Sequence, residues 1–250
     1  MTFRTALTLV PVALLAACKP NPAIVHREAG DDLLRRSEFS GAAAEYAKSL
    51  EADPKQEKVW EKLAFSRAKA GEKVLAAEAL VKLANLRPGE AQKADAFRNA
   101  AGIFLQGQTA DQGNAEKYLV EAVRLDPKDE ASLTWLGELA SEKGGARLEA
   151  ATPVPEELEK AIGWYGRLIE LRPDATAPYV NRRIVLVKYL GHLAEEKHRE
   201  ETRQGKGGRD ADAAGARERL ARLETKSAEL RRLLDETNAK LASLRKTAAR

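Results

Sequence analysis

The feature that most constrains this chain is a spacing that returns four times. A small residue is followed four positions later by a large one, and eight positions after that by proline. The sets are Ala42, Tyr46 and Pro54; Ala76, Leu80 and Pro88; Ala115, Leu119 and Pro127; and Ala161, Tyr165 and Pro173. Each piece has a physical job. The alanine lets two helices cross closely, because a larger side chain would hold them apart. The large residue one turn on fills the space between them. The proline ends the helix, since it lacks an N–H and its ring clashes with the preceding turn. Pro54 and Pro88 lie 34 residues apart, and the next intervals are 39 and 46. Repeats of this length belong to stacked units that bury a continuous core only together.

Each of these helices is preceded by another. Ile24 to Arg36, with Gly30 at the close-contact position, comes before Ala42. Trp60, Leu63, Ala64 and Arg67 come before Ala76, and Phe97, Ala100, Ala101 and Phe104 before Ala115. Leu133, Leu136, Gly137 and Ala140 come before Ala161. This order resembles the tetratricopeptide repeat: a large residue, a leucine-like residue followed by Gly or Ala, a second large residue, then Ala, an aromatic and Pro. The resemblance covers residues 23–190 and implies an all-α solenoid of four to five helix pairs. Composition agrees, with 32% charged and only 5% aromatic residues and no long stretch of period-two alternation. A fifth first helix follows Pro173, with Tyr179 and Leu186 in the large positions. Its small position holds Arg183, a departure that suggests an end cap. Residues 142–156, rich in Gly and Pro, read as an insertion within the fourth pair, flexible by composition.

Residues 191–250 form a helical extension of a different kind. Residues 176–204 suit one long helix, apolar to Leu193 and polar after Ala194, with a hinge at 205–208. Residues 213–250 suit a second, in which Leu220, Leu223, Leu230, Leu234, Leu241 and Leu244 fall on heptad positions and Ser227 and Thr237 are weak points. Such a seam fits an antiparallel hairpin or a capping helix better than a parallel dimer. Self-association through 213–250 remains an alternative.

The N-terminus adds a compartment. A short basic start, an apolar run from Thr5 to Leu15 and small residues before Cys18 have the layout of a secretory signal over residues 1–17. The run is too short to cross a bilayer, which needs about 20 residues. Leu15-Ala16-Ala17-Cys18 resembles the bacterial lipobox, which implies a diacylglycerol on Cys18, the one cysteine of the chain. Residues 18–22 would then be a lipidated tether of about 20 Å at most, at up to about 3.6 Å per residue. Lys19 is not the aspartate associated with inner-membrane retention, which favours the periplasmic face of the outer membrane. In architecture the whole is broadly similar to pilotin-type lipoproteins and to the helical lipoprotein of the β-barrel assembly machinery.

In the tetratricopeptide family the first helices line a concave surface, and at about 100° per residue the positions facing away from the pair core can be read off. They are Lys62, Asn99, Trp135 and Asn181, with Lys69, Gln106 and Lys188 on the same face and Phe65 and Ile184 at its edge. That mixed surface suits an extended peptide or helix of an envelope protein. Trp135 can equally pack under the insertion or against the next repeat. No catalytic, cofactor or metal site is expected. His192 and His198 are six apart rather than at zinc-pair spacing, and Gly205-Lys206-Gly207-Gly208 lacks the order of a phosphate loop. Asp31-Asp32 and Glu156-Glu157 are read as acids near helix starts, where the helix dipole favours them. The formal net charge of +4, part of it Arg4 of the leader, is too mild to imply nucleic acid.

Overall fold

The computed structural model of the chain describes residues 20–107, 110–148, 150–205 and 213–248. The leader, Cys18 and residues 206–208 of the expected hinge lie outside them. Ten helices follow one another among the described residues: α1 (Pro22–Arg35), α2 (Phe39–Ala52), α3 (Glu57–Lys69), α4 (Lys73–Leu86), α5 (Glu90–Leu105), α6 (Gln112–Leu125), α7 (Glu130–Lys143), α8 (Pro155–Leu171), α9 (Thr176–Gly205) and α10 (Ala213–Ala248). Each packs on the next along the chain. The first eight make four helix pairs and the last two a long hairpin. The fold is an all-α, tetratricopeptide-type solenoid with a C-terminal helical hairpin.

The repeating residues explain the stacking. Ala42, Ala76, Ala115 and Ala161 have no exposed surface, and Tyr46, Leu80, Leu119 and Tyr165 one turn on are buried. The partner position on each first helix is matched to them. Gly30 faces Tyr46 so closely that a Cβ would stand 2.7 Å from the ring, and Gly137 faces Tyr165 at the same distance. The second and third pairs hold Ala64 with Leu80 and Ala101 with Leu119, all buried in the same core. Where the second helix carries tyrosine, the first gives up its Cβ. The tyrosine hydroxyls find partners: Tyr46 donates to Asp31 Oδ1 at 2.6 Å, and Tyr165 meets Ser141 Oγ at 3.2 Å. Such partners are what a buried phenol needs.

Between α7 and α8 the chain is less loose than its composition suggests. Gly144 packs against Leu158, Ala146 is buried, and the Ala146 N–H donates to the Ser141 carbonyl at 2.9 Å. Residues 144–147 thus continue the end of α7 as a tight turn, with Gly145 at φ 67°. Asp31 and Asp32 lie near the end of α1 and not at the helix start expected for paired acids. Asp31 is engaged by the Tyr46 hydroxyl and by Lys62 across the pair boundary, and Asp32 by Arg35. Glu156 and Glu157 do lie in the first turn of α8.

The hairpin is antiparallel. Arg182 meets Thr237, Lys197 meets Glu224, and Glu200 meets Arg219, so positions fall on α10 as they rise on α9. Tyr179, Leu186, Tyr189 and Leu193 of α9 are buried, as are Ala216, Leu230, Thr237 and Leu241 of α10. The absence of a small residue at 183 is explained by this geometry: Arg183 is exposed, and α9 packs through a heptad seam instead. Glu159 of α8 ties the hairpin to the array. It accepts from the Tyr189 hydroxyl at 3.0 Å and pairs with Lys226 at 3.1 Å.

Candidate functional site

The first helices α1, α3, α5, α7 and α9 place equivalent residues in rows. Two positions before the close-contact residue stand Glu28, Lys62, Asn99, Trp135 and Asn181; one position after it stand Asp31, Phe65, Gly102, Glu138 and Ile184. The first row mostly reaches sideways rather than outward. Lys62 Nζ pairs with Asp31 Oδ1 of the preceding unit at 2.7 Å and sits 6.0 Å from the Tyr46 ring centre. Trp135 is half-buried rather than an exposed anchor, and its ring edge lies 3.6 Å from where a Cβ on Gly102 would stand. The physical reason is the glycine: a bare backbone on α5 leaves a slot that the indole of α7 fills. Asn181 accepts from the Arg147 guanidinium at 3.1 Å. Asn99 is exposed and donates to Asp95.

The second row carries the apolar surface. Phe65 is 48% exposed. It is held from one side by Phe39, edge-on at 6.3 Å between ring centres, and from the other by Lys69, 5.6 Å from its ring. Ile184 is exposed at the equivalent position of α9, where it belongs to a stripe with Val180 and Val187. Spacings of four and three put these three on one helix face, opposite the buried seam. Leu148 of the α7–α8 segment is 63% exposed. Its carbonyl accepts from Lys188 Nζ at 2.9 Å, which brings the segment alongside α9. Gln106 lies just past the end of α5 rather than on its face, and its carbonyl accepts from Lys73. Val180, Val187 and Leu148 are not among the residues that the repeat pattern assigns to this face, although the first two are apolar residues spaced with Ile184 on one side of the helix.

Rigid charge bridges hold the rows in place. Arg87 reaches Glu61 at 2.7 Å and Asp95 at 3.2 Å, and Arg98 joins Asp95 to Asp129. Asp129 then caps α7 by accepting from the backbone and hydroxyl of Ser132. Burial alone would push the Asp129 carboxyl up, but the hydrogen bonds from Ser132 and Arg98 and the Arg98 charge hold it below the usual carboxylate range. Asp31 has the same balance, with burial opposed by Lys62 and Tyr46. Tyr46 in turn is pushed up, by burial first and by Asp31 second. Among the described residues no cluster of three or more His, Cys, Asp or Glu is placed to hold a metal ion. Among them, too, no helix is long and apolar enough to cross a membrane.

No family model matches the chain, and no curated protein does. Solved structures give distant likenesses. The chain is 20% identical to MamA, covering 89% of this chain and 96% of that one, with a TM-score of 0.46. It is 17% identical to YrrB, described as a TPR protein with an unusual peptide-binding site, over 67% of this chain and 77% of that one, with a TM-score of 0.43. It is also 17% identical to pilF of Pseudomonas aeruginosa, over 89% and 91% of the two chains, with a TM-score of 0.40.

Proposed function

We propose that this chain is a lipid-anchored scaffold of the bacterial cell envelope that binds a segment of another envelope protein across its first-helix face. The observation that carries the reading is the pair of equivalent apolar positions, Phe65 and Ile184, exposed on a surface whose neighbouring polar residues are locked to one another. A rigid row with apolar anchors at separated points suits an extended or helical segment, which gains from anchors without having to reorganise the receptor. Cys18, four residues before α1, supplies the tether in this reading, and Lys19 after it favours the periplasmic face of the outer membrane. The seam leucines of α10 are occupied by α9 within one chain, which makes self-association through that seam the weaker alternative.

The test is made in cells with the full chain. A photoreactive residue at position 65, and separately at 184, should crosslink one common envelope protein, and position 163, exposed on the second helix of its pair, should not. Equal adducts from all three positions, or none from 65 and 184, defeat the face assignment. Cys18→Ala should abolish incorporation of an alkyne fatty acid and release the protein from membranes; unchanged labelling defeats the anchor.

A further inference from the structure

We propose that a cleft at the root of the hairpin is a second docking site, one that takes an acidic segment of a partner protein bearing an apolar anchor. The cleft encloses about 530 Å³ between the start of α8 at Pro155 and the two hairpin helices. Its floor is apolar, formed by Tyr189, Leu193 and Leu223. Its walls carry five cations, Arg199 and Arg203 from α9 and Arg219, Arg222 and Lys226 from α10, against two acids, Glu196 and Glu200. It lies on the opposite side of α9 from the exposed Val187, at about 100° per residue.

Acids take up the inner part of this charge: Lys226 is paired with Glu159 at 3.1 Å and Glu229 at 3.4 Å. Glu200 is buried, its side chain 9% exposed, and already bonded to Arg219 at 2.7 Å with Arg203 at 3.6 Å. Glu196 lies beside His192 at 3.5 Å. The outer cations remain wet: the side chains of Arg203 and Arg222 are 78% and 76% exposed, and that of Arg199 is 59% exposed. Arg199 and Arg222 each pair with an acid one turn away on their own helix, Glu195 and Glu218. Surface pairs of that kind contribute little, so their cations exchange readily to an incoming carboxylate. Guanidinium groups are also suited to carboxylates by their two-pronged donor geometry.

Shape selects the occupant. A bilayer surface is flat and cannot reach an apolar floor recessed between two helices. A free inorganic anion would use the walls and leave the floor wet. A peptide segment uses both, with an aliphatic or aromatic side chain against Leu193 and Leu223 and carboxylates on the rim. Arg199 and Arg222 are exposed side chains outside the hairpin core, which Leu230, Thr237 and Leu241 fill on α10.

The purified full chain tests this with a fluorescent amphipathic peptide of leucine and glutamate, and with a control that replaces every glutamate by lysine. The acidic peptide should bind and the basic one should not. Arg199→Glu combined with Arg222→Glu should weaken acidic-peptide binding at least tenfold with the circular dichroism unchanged, while Arg232→Glu, exposed on α10 outside the cleft, leaves it intact. Equal binding of both peptides overturns the proposal, as does no detectable binding of the acidic one or affinity unaltered by the charge inversion. Binding of phosphatidylglycerol vesicles or inorganic phosphate that is lost in the double variant, with the acidic peptide inert, overturns it in favour of a membrane or simple anion contact.

Discussion

The array of α1–α8 and the hairpin of α9–α10 are both antiparallel helix packings, yet they achieve fit by opposite means. In the array a residue's absence makes the fit: glycine opposite tyrosine, alanine opposite leucine. In the hairpin long side chains meet along a seam that admits polar groups, with Thr237 fully buried and Glu200 nearly so. Arg182 donates its Nε–H to Thr237 Oγ1 at 3.1 Å and lies 5.7 Å from the Tyr179 ring. Burial depresses its guanidinium pKa, since it brings that charge into the seam without a carboxylate at hydrogen-bond distance. The lesson is one of register. Complementary volumes fix where two short helices cross, whereas two long helices that could slide by a heptad are held by single polar pairs.

The array side is broken most sharply at Gly137. Gly137→Ala places a Cβ 2.7 Å from Tyr165 Cε1, and overpacking of this kind should cost about 1–3 kcal/mol in thermal or urea unfolding. Adding Tyr165→Leu recreates the alanine–leucine match of the second and third pairs and should recover part of the loss. If the double variant is less stable than Gly137→Ala alone, volume matching is not what sets the crossing. The hairpin side is broken at Thr237. Thr237→Val keeps the shape but leaves the Arg182 Nε–H without its acceptor, a loss of about 1–3 kcal/mol. Hydrogen exchange should show α9 and α10 loosened and α1–α6 unchanged.

A third experiment asks how far the charge bridges of the array act through pH. The Asp129 carboxyl is depressed in the folded state, so its contribution is complete above the ordinary carboxylate value near 3.8 and fades as pH falls through the lower folded value. Asp129→Asn keeps a side chain able to cap α7 but removes the charge that faces Arg98, and should lower stability by about 1 kcal/mol at pH 7 and by progressively less below pH 4. A constant difference across that range would remove the electrostatic part of the account. The smallest effect belongs to Arg232→Ala. Its pair with Glu236 is exposed at both ends, 85% and 57%, and should shift the midpoint by no more than about 0.5 kcal/mol. A larger loss would mean that the hairpin depends on its surface charges after all.

What was legible in the sequence was whatever repeats at short range. The alanines, the large residues one turn on and the helix-ending prolines lie within 12 residues of one another and read as a template. What joins units was not legible. Trp135 and Gly102 are 33 positions apart, and only the offset between α5 and α7 brings the indole over the bare backbone. Thr237 read as a flaw in a leucine seam because its partner Arg182 is 55 positions away on the other helix. Asp31 read as a dipole partner because acids commonly serve helix starts, but a tyrosine hydroxyl and a lysine from two neighbouring helices claim it. The functional face shares this divide: Phe65 and Ile184 were visible as apolar residues off the core stripe, whereas the locking of Lys62 and Asn181 required the stacked array.

The matching of Gly30 to Tyr46 and of Gly137 to Tyr165 has a bearing on inheritance. A first helix taken from the fourth pair and spliced into the second would leave a void against Leu80, and the reverse graft would drive a methyl into a phenol ring. The two helices of a pair must therefore travel together when such chains are shuffled, lengthened or redesigned. The breakpoints that recombination tolerates should fall in the links between pairs and not in the turns within them.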